Sequence, residues 1–212
     1  MKIMIELKNI SKTFKNELIF NDISLEFFDN TIYGIIGRNG SGKSVLFKMI
    51  SGYMKPDVGD IIVEGKNINK NGIFPDSIGI LIESPGFLWF ESALSNLKYL
   101  ADIKNNVSEQ QIIDTIKAVG IDPYSKKKTG KFSLGMKQRL GIAQAIMESP
   151  DILILDEPFN GLDDEGVNHI RKLILGYKQN GRTIIISSHN KEDIDLLCDI
   201  VYRIENGKIV EL

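Results

Sequence analysis

Cysteine is nearly absent from this chain. Cys198 stands alone among 212 residues, so no internal disulfide can form. Histidine is scarce too, with His169 and His189 the only two, and no Cys/His cluster has the spacing of a zinc site. A reducing compartment suits that composition. Excess charge of either sign is also missing. The formal net charge of -2 gives no global positive field, so nucleic acid is not expected as a partner. Long hydrophobic runs are absent. Ile152 to Leu155 and Ile184 to Ile186 are strand-sized, far below the roughly 18 apolar residues of a membrane span. The opening Met1-Lys2-Ile3-Met4-Ile5-Glu6 lacks the apolar core of a signal peptide. If a membrane is involved, another chain must span it. There is no internal repeat and no low-complexity segment, and the basic run Lys126 to Lys128 reads as a solvated loop.

What is present suits a globular chain: 42% hydrophobic and 25% charged residues, enough for a sizeable core. Residues 3–7 and 23–27 alternate apolar and polar, as half-buried strands do. Apolar segments at 32–36, 59–65, 77–82, 152–155 and 183–187 read as further strands. Helical patterns occupy 45–50, Ser92 to about Val119 with a break near 104–107, 134–148 behind Ser133 as a cap, 165–178 and 190–198. A last hairpin turns at Glu205-Asn206-Gly207-Lys208. Strands alternating with helices predict an α/β fold around a mainly parallel sheet.

Gly37-Arg38-Asn39-Gly40-Ser41-Gly42-Lys43-Ser44 matches G-x-x-x-x-G-K-[ST] in full, after an apolar strand and before a helix. The glycines let successive backbone N–H groups turn toward phosphate oxygens, and the helix start adds the positive end of its dipole. Lys43 is expected on the β- and γ-phosphates and Ser44 on magnesium; Val45 follows on the nucleotide side. Ile152-Leu153-Ile154-Leu155 runs into Asp156-Glu157. Two acids at the end of a deep strand fit a magnesium ligand, Asp156, and a general base for the attacking water, Glu157. The plain alternative is a strand end emerging into solvent.

With these motifs in order along nearly its whole length, the chain resembles the ATP-binding subunits of ABC transporters. The resemblance implies one ATP-binding domain over residues 1–212. Its fold would be that of a P-loop NTPase, with a mainly parallel core sheet, an N-terminal antiparallel β lobe and a helical lobe at about 84–149. Phe14 stands where the family stacks an aromatic on adenine, unless it is a core residue. Phe132-Ser133-Leu134-Gly135-Met136-Lys137-Gln138-Arg139 resembles the family signature, keeping Ser133 and Gly135 but departing at Phe132, Leu134 and Met136. The family implies that this helix start faces ATP bound by the other subunit. Asn160-Gly161-Leu162-Asp163 resembles the loop where Asp163 links two sites, and His189 falls where the family places its γ-phosphate histidine. Glu83 stands where the family usually carries glutamine on magnesium and water. Glutamate there resembles the bacitracin-resistance and lantibiotic-immunity exporters. Phe87-Leu88-Trp89-Phe90 would line a docking groove for a membrane subunit or pack inside the helical lobe.

The expectation is an ATP-hydrolysing motor subunit, peripheral on the cytoplasmic face of a membrane. ATP and Mg2+ would drive closure of a homodimer or heterodimer against a separate membrane-spanning subunit, with export favoured by Glu83. A cofactor-assembly ATPase of the same family stays open, as does a regulatory module. A GTPase is a weaker rival: Asn190-Lys191-Glu192-Asp193 and Asp163-Asp164-Glu165-Gly166 fit its short motifs but leave the Asp156-Glu157 pair unexplained.

Overall fold

The computed structural model describes residues 1–69, 74–75, 77–83, 86–104 and 106–212. Strands β1 (Ile3–Phe14) and β2 (Glu17–Phe28) form a long antiparallel hairpin. Its two-residue turn puts Lys15 and Asn16 at φ 48 and 66, the left-handed geometry that matches the twist of a tight hairpin. Alternation in the sequence predicts only residues 3–7 of β1 and 23–27 of β2. The remainder is hidden because the register shifts repeatedly between Leu7 and Thr13, each shift breaking the period of two. Side chains stand in for ladder bonds there: Asn9 N donates to Ser24 Oγ, and Asp22 N donates to Ser11 Oγ, both at 3.0 Å. β1 also pairs antiparallel with β4 (Val58–Val63), which pairs with β5 (Lys66–Asn67), so the sheet order is β2-β1-β4-β5.

The central sheet contains β3 (Ile32–Ile36), β6 (Ile78–Leu81), β7 (Ile152–Leu155), β8 (Thr183–Ser187), β9 (Ile200–Glu205) and β10 (Lys208–Glu211). Its order is β10-β9-β3-β8-β7-β6, parallel throughout except for the β9–β10 hairpin. Every residue of β7 and β8 is buried. Successive side chains leave opposite faces. Ile152 and Ile154 join the core beneath the antiparallel sheet; Leu153 and Leu155 join the core beneath the later helices. Two covered faces explain why these strands read as unbroken apolar runs. Each such side chain contributes about 1.5–3 kcal/mol on burial.

The helices are α1 (Lys43–Ile50), α2 (Ala93–Lys104), α3 (Glu109–Ala118), α4 (Leu134–Ile146), α5 (Asp164–Gln179) and α6 (Lys191–Leu197). α1 buries Leu46, Phe47, Met49 and Ile50 against the core shared with the antiparallel sheet. α2, α3, α4 and α5 cover the opposite face. Gly79 of β6 lies flush under the end of α4, where a Cβ would strike the Ala145 carbonyl and come within 2.6 Å of Pro150 Cγ. The parallel strands all end at one edge of the sheet. The segments that leave that edge carry Gly37 to Ser44, Glu83, Asp156-Glu157 and His189, the crevice position where open α/β sheets bind ligands.

Candidate functional site

The loop from β3 to α1 turns through Gly40 at φ 80 and Gly42 at φ 108. Gly42 has a second constraint: a Cβ would meet Ile19 Cγ2 at 2.7 Å and Phe20 Cζ at 2.9 Å. Strand β2 is therefore packed directly beneath the loop. Lys43 is buried, and its Nζ donates to the Gly37 carbonyl at 2.8 Å and, more loosely, to that of Arg38 at 3.4 Å. Ser44, the next residue of α1, donates to Asp156 Oδ2 at 2.7 Å.

Asp156 and Glu157 follow β7 directly. Ser187, the last residue of β8, donates to Asp156 Oδ1 at 2.6 Å and accepts from Glu157 N at 2.9 Å. Glu157 takes a left-handed backbone, φ 50, which a side chain of its size rarely adopts without support. The support is on both sides of the residue: Ser187 holds its N–H, and Gln138 Nε2 donates to its carbonyl at 2.9 Å. The backbone N–H of His189 donates to Glu157 Oε2 at 3.3 Å. The His189 ring sits 3.1 Å from Oε1 but off the hydrogen-bonding line, leaving Oε1 buried with no donor. Burial raises the Glu157 carboxyl above its ordinary range; His189 and Lys43 oppose that shift and Asp156 adds to it.

These residues suit a nucleotide with a magnesium ion. Ser41 Oγ is a second buried polar atom without a partner, and it lies inside the glycine loop. Ser44 Oγ and Asp156 form an all-oxygen donor pair of the kind magnesium takes. Glu83 leaves β6 at the same sheet edge, with φ 60, and its Oε1 is 2.5 Å from Lys48 Nζ. Ser84 and Pro85, which complete the Glu83 segment, lie outside the described residues.

Other expected residues lie elsewhere. Phe14 ends β1, is 42% exposed and has Lys15 Nζ 5.7 Å from its ring centroid, so it is not a core aromatic. Ser133 caps α4, its Oγ accepting from Met136 N at 3.2 Å. Gly135 and Gly161 pack together: a Cβ on Gly135 would meet the Gly161 carbonyl at 2.5 Å, and one on Gly161 would meet Leu134 Cγ at 2.6 Å. Asp163 caps α5 through Gly166 N at 3.0 Å. These three groups border a separate cleft of about 370 Å³ that includes Phe132 and Arg139. Phe87 packs against the core under the helices, while Trp89 and Phe90 are exposed. Thr129 ties that segment to the approach to α4, donating from its hydroxyl to the Leu88 carbonyl and from its N–H to the Glu91 carbonyl, both at 2.8 Å. The GTPase motif fails on contact: Asp193 is buried, with Oδ1 taken by Arg171 at 2.6 and 2.9 Å and Oδ2 by Ser188 at 2.8 Å. His169, given no role, is bonded to the Ala118 carbonyl at 2.7 Å.

Sequence reasoning missed Ser187, Gln138 and Lys48 as parts of the site. Ser187 was detectable as a hydroxyl closing an apolar strand, and Gln138 as an amide on the buried side of a helix. Nothing in the local sequence marks Lys48.

A glycine phosphate loop, a serine–aspartate pair and a pinned glutamate at the ends of adjacent parallel strands define a P-loop nucleotide hydrolase. The match to known proteins is more particular. Residues 20–160 match the family model described as ABC transporter. The chain is 46% identical over 206 residues to the uncharacterized ABC transporter ATP-binding protein YybJ of Bacillus subtilis, covering 97% of this chain and 94% of that one. It is 39% identical to the bacitracin transport ATP-binding protein BcrA of Bacillus licheniformis, covering all of this chain and 70% of that one. Identity is 37% to the lantibiotic transport ATP-binding protein SrtF of Streptococcus pyogenes, over 98% of this chain and 89% of that one. A dimeric ATP-binding cassette solved with ADP and Pi superposes with a TM-score of 0.88 at 21% identity, covering 99% of this chain and 98% of that one, a likeness of fold. The chain belongs to the ABC transporter family as an ATP-binding subunit, and its activity is ATP hydrolysis. No helix among the described residues is long and apolar enough to cross a membrane.

Proposed function

We propose that this subunit closes on ATP as half of a dimer and hydrolyses it through Glu157, driving a separate membrane-spanning subunit in export. The observation that carries the reading is the partly buried network Ser44–Asp156–Ser187–Glu157, which joins the phosphate loop to the carboxylate held for water. Backbone amides of Gly37 to Ser44, with Val45 behind them, would bind the phosphates, and Lys43 would turn from its loop carbonyls to the β- and γ-oxygens. Ser44 and Asp156 would hold magnesium, with Glu83 as a third oxygen donor. When bound, the ion offsets phosphate charge and orients the oxygens. Phe14 would stack on adenine. Glu157 would accept a proton from water while His189 orients it, and its fixed backbone keeps the carboxylate in place.

Ser133, Gly135 and Asp163 border a cleft apart from that network, which supports their serving ATP held by a second subunit. A serine-capped helix start offers free N–H groups to an anion. Bacitracin and lantibiotic transport, in the names of BcrA and SrtF, and glutamate at position 83 favour export of peptide-like compounds. The test is magnesium-dependent ATP hydrolysis across a protein concentration series, with GTP as control. Specific activity should rise with concentration and ATP should be preferred. Activity that is independent of concentration down to nanomolar protein would overturn the split-site reading.

A further inference from the structure

Helix α1 faces the ends of two neighbouring strands with two side chains one turn apart. Ser44 reaches Asp156, just beyond β7, at 2.7 Å, and Lys48 reaches Glu83, just beyond β6, at 2.5 Å. β6 and β7 are parallel partners with Leu81 opposite Leu155, and Asp156 N donates to the Leu81 carbonyl at 2.7 Å, so the two chain segments leave the sheet next to one another, Asp156 directly after β7 and Glu83 one residue further beyond β6. Residues four apart on a helix lie on one face about 5–6 Å apart. The contacts thus form two adjacent rungs, the first on the magnesium pair and the second immediately behind it.

Three carboxylates, Glu83, Asp156 and Glu157, crowd this edge of the sheet. A glutamine at position 83 would add no charge there; a glutamate does. The Lys48–Glu83 pair is half open to water, with side chains 33% and 63% exposed. An ion pair so placed is weak and exchangeable.

We propose that Lys48 is a positioning residue that holds the Glu83 carboxylate off the metal and competes with the divalent ion for it. Glu83 then has two alternative partners, the Lys48 ammonium and the ion beside Ser44 and Asp156. The competition sets how readily the nucleotide-loaded site takes its ion. The inference rests on the site reading given above.

The test is Mn2+ affinity of the chain saturated with a non-hydrolysable ATP analogue, read by electron paramagnetic resonance, with metal-free analogue affinity and circular dichroism measured in parallel. Lys48→Met should tighten Mn2+ binding about two- to fivefold beyond any change it causes in a Glu83→Gln background, the size an exposed pair supports. Lys48→Arg should restore the parent affinity. Weaker or unchanged Mn2+ binding in Lys48→Met overturns the proposal, as does an equal gain in both backgrounds, which would reflect charge alone. A parent chain that binds no analogue overturns the site reading itself, and this proposal with it.

Discussion

Ser187→Ala is the most informative single change, because one hydroxyl serves both acidic residues. Ser187 Oγ donates to Asp156 Oδ1 at 2.6 Å and accepts the Glu157 N–H at 2.9 Å, and the residue is fully buried. Alanine removes a hydrogen bond to a carboxylate, worth about 1.5–3 kcal/mol, and leaves an amide N–H short of its acceptor, which costs about 1–3 kcal/mol. Asp156 keeps its bond from Ser44, so part of that loss is recovered. The net expectation is about 2–4 kcal/mol of stability. For a chain of this length each kcal/mol moves the unfolding midpoint by about 2–4 °C, so a fall of about 4–16 °C should follow. Turnover should suffer more than stability. Glu157 holds φ 50 only between Ser187 and Gln138. Releasing one side displaces its carboxylate, and a displacement near 1 Å costs on the order of 100-fold in rate. Ser187→Cys, close in volume but a poor donor, should behave like alanine and separate hydrogen bonding from packing. The assays are thermal unfolding by circular dichroism and steady-state ATP hydrolysis at saturating magnesium. An alanine variant within about 1 °C of the parent and with unchanged turnover would refute the reasoning.

Other perturbations have equally definite outcomes. Burial raises the Glu157 carboxyl above its ordinary value of 4.5, so its stability contribution is full below that value and is lost as pH rises through the folded-state pKa. The midpoint advantage of Glu157→Gln over the nucleotide-free parent should therefore grow with pH above 4.5, while turnover falls by about 100-fold or more; an advantage that shrinks with pH would reverse the assignment. Gly79→Ala drives a methyl into the Ala145 carbonyl; backbone cannot yield as a side chain can, so a loss of about 3 kcal/mol is expected in denaturant unfolding. Cys198 is pushed up to about 12 by burial and by Asp199, Asp193 and Asp195. With a thiolate fraction of about 10⁻⁴ at pH 8, it should react with an aromatic disulfide reagent far more slowly than an ordinary free thiol, and instantaneous labelling of the native chain would contradict this.

Local pattern carried much of this protein. The phosphate loop is a contiguous motif whose spacing is dictated by phosphate geometry, and it announces itself without a fold. The buried strands β7 and β8 announce themselves because both faces are covered, which turns alternation into a continuous apolar run. Ser133 was legible as a helix cap because a capping hydroxyl acts on residues three positions away. The outer parts of β1 and β2 were not legible, since repeated register shifts erase the period on which strand reading depends.

The sequence by itself determined which chemical groups this chain could bring to ATP, and the order in which they occur. Only the tertiary structure decided which of them meet. Ser44 and Asp156 are separated by 112 positions, and Asp156 and Ser187 by 31. Their contacts exist because β3, β7 and β8 lie adjacent and parallel, and no local pattern encodes that order. Lys48 is the clearest case. In the sequence it is one more lysine on an amphipathic helix; the pairing of β6 with β7 places Glu83 within its reach, because strand adjacency is set by how the whole core packs.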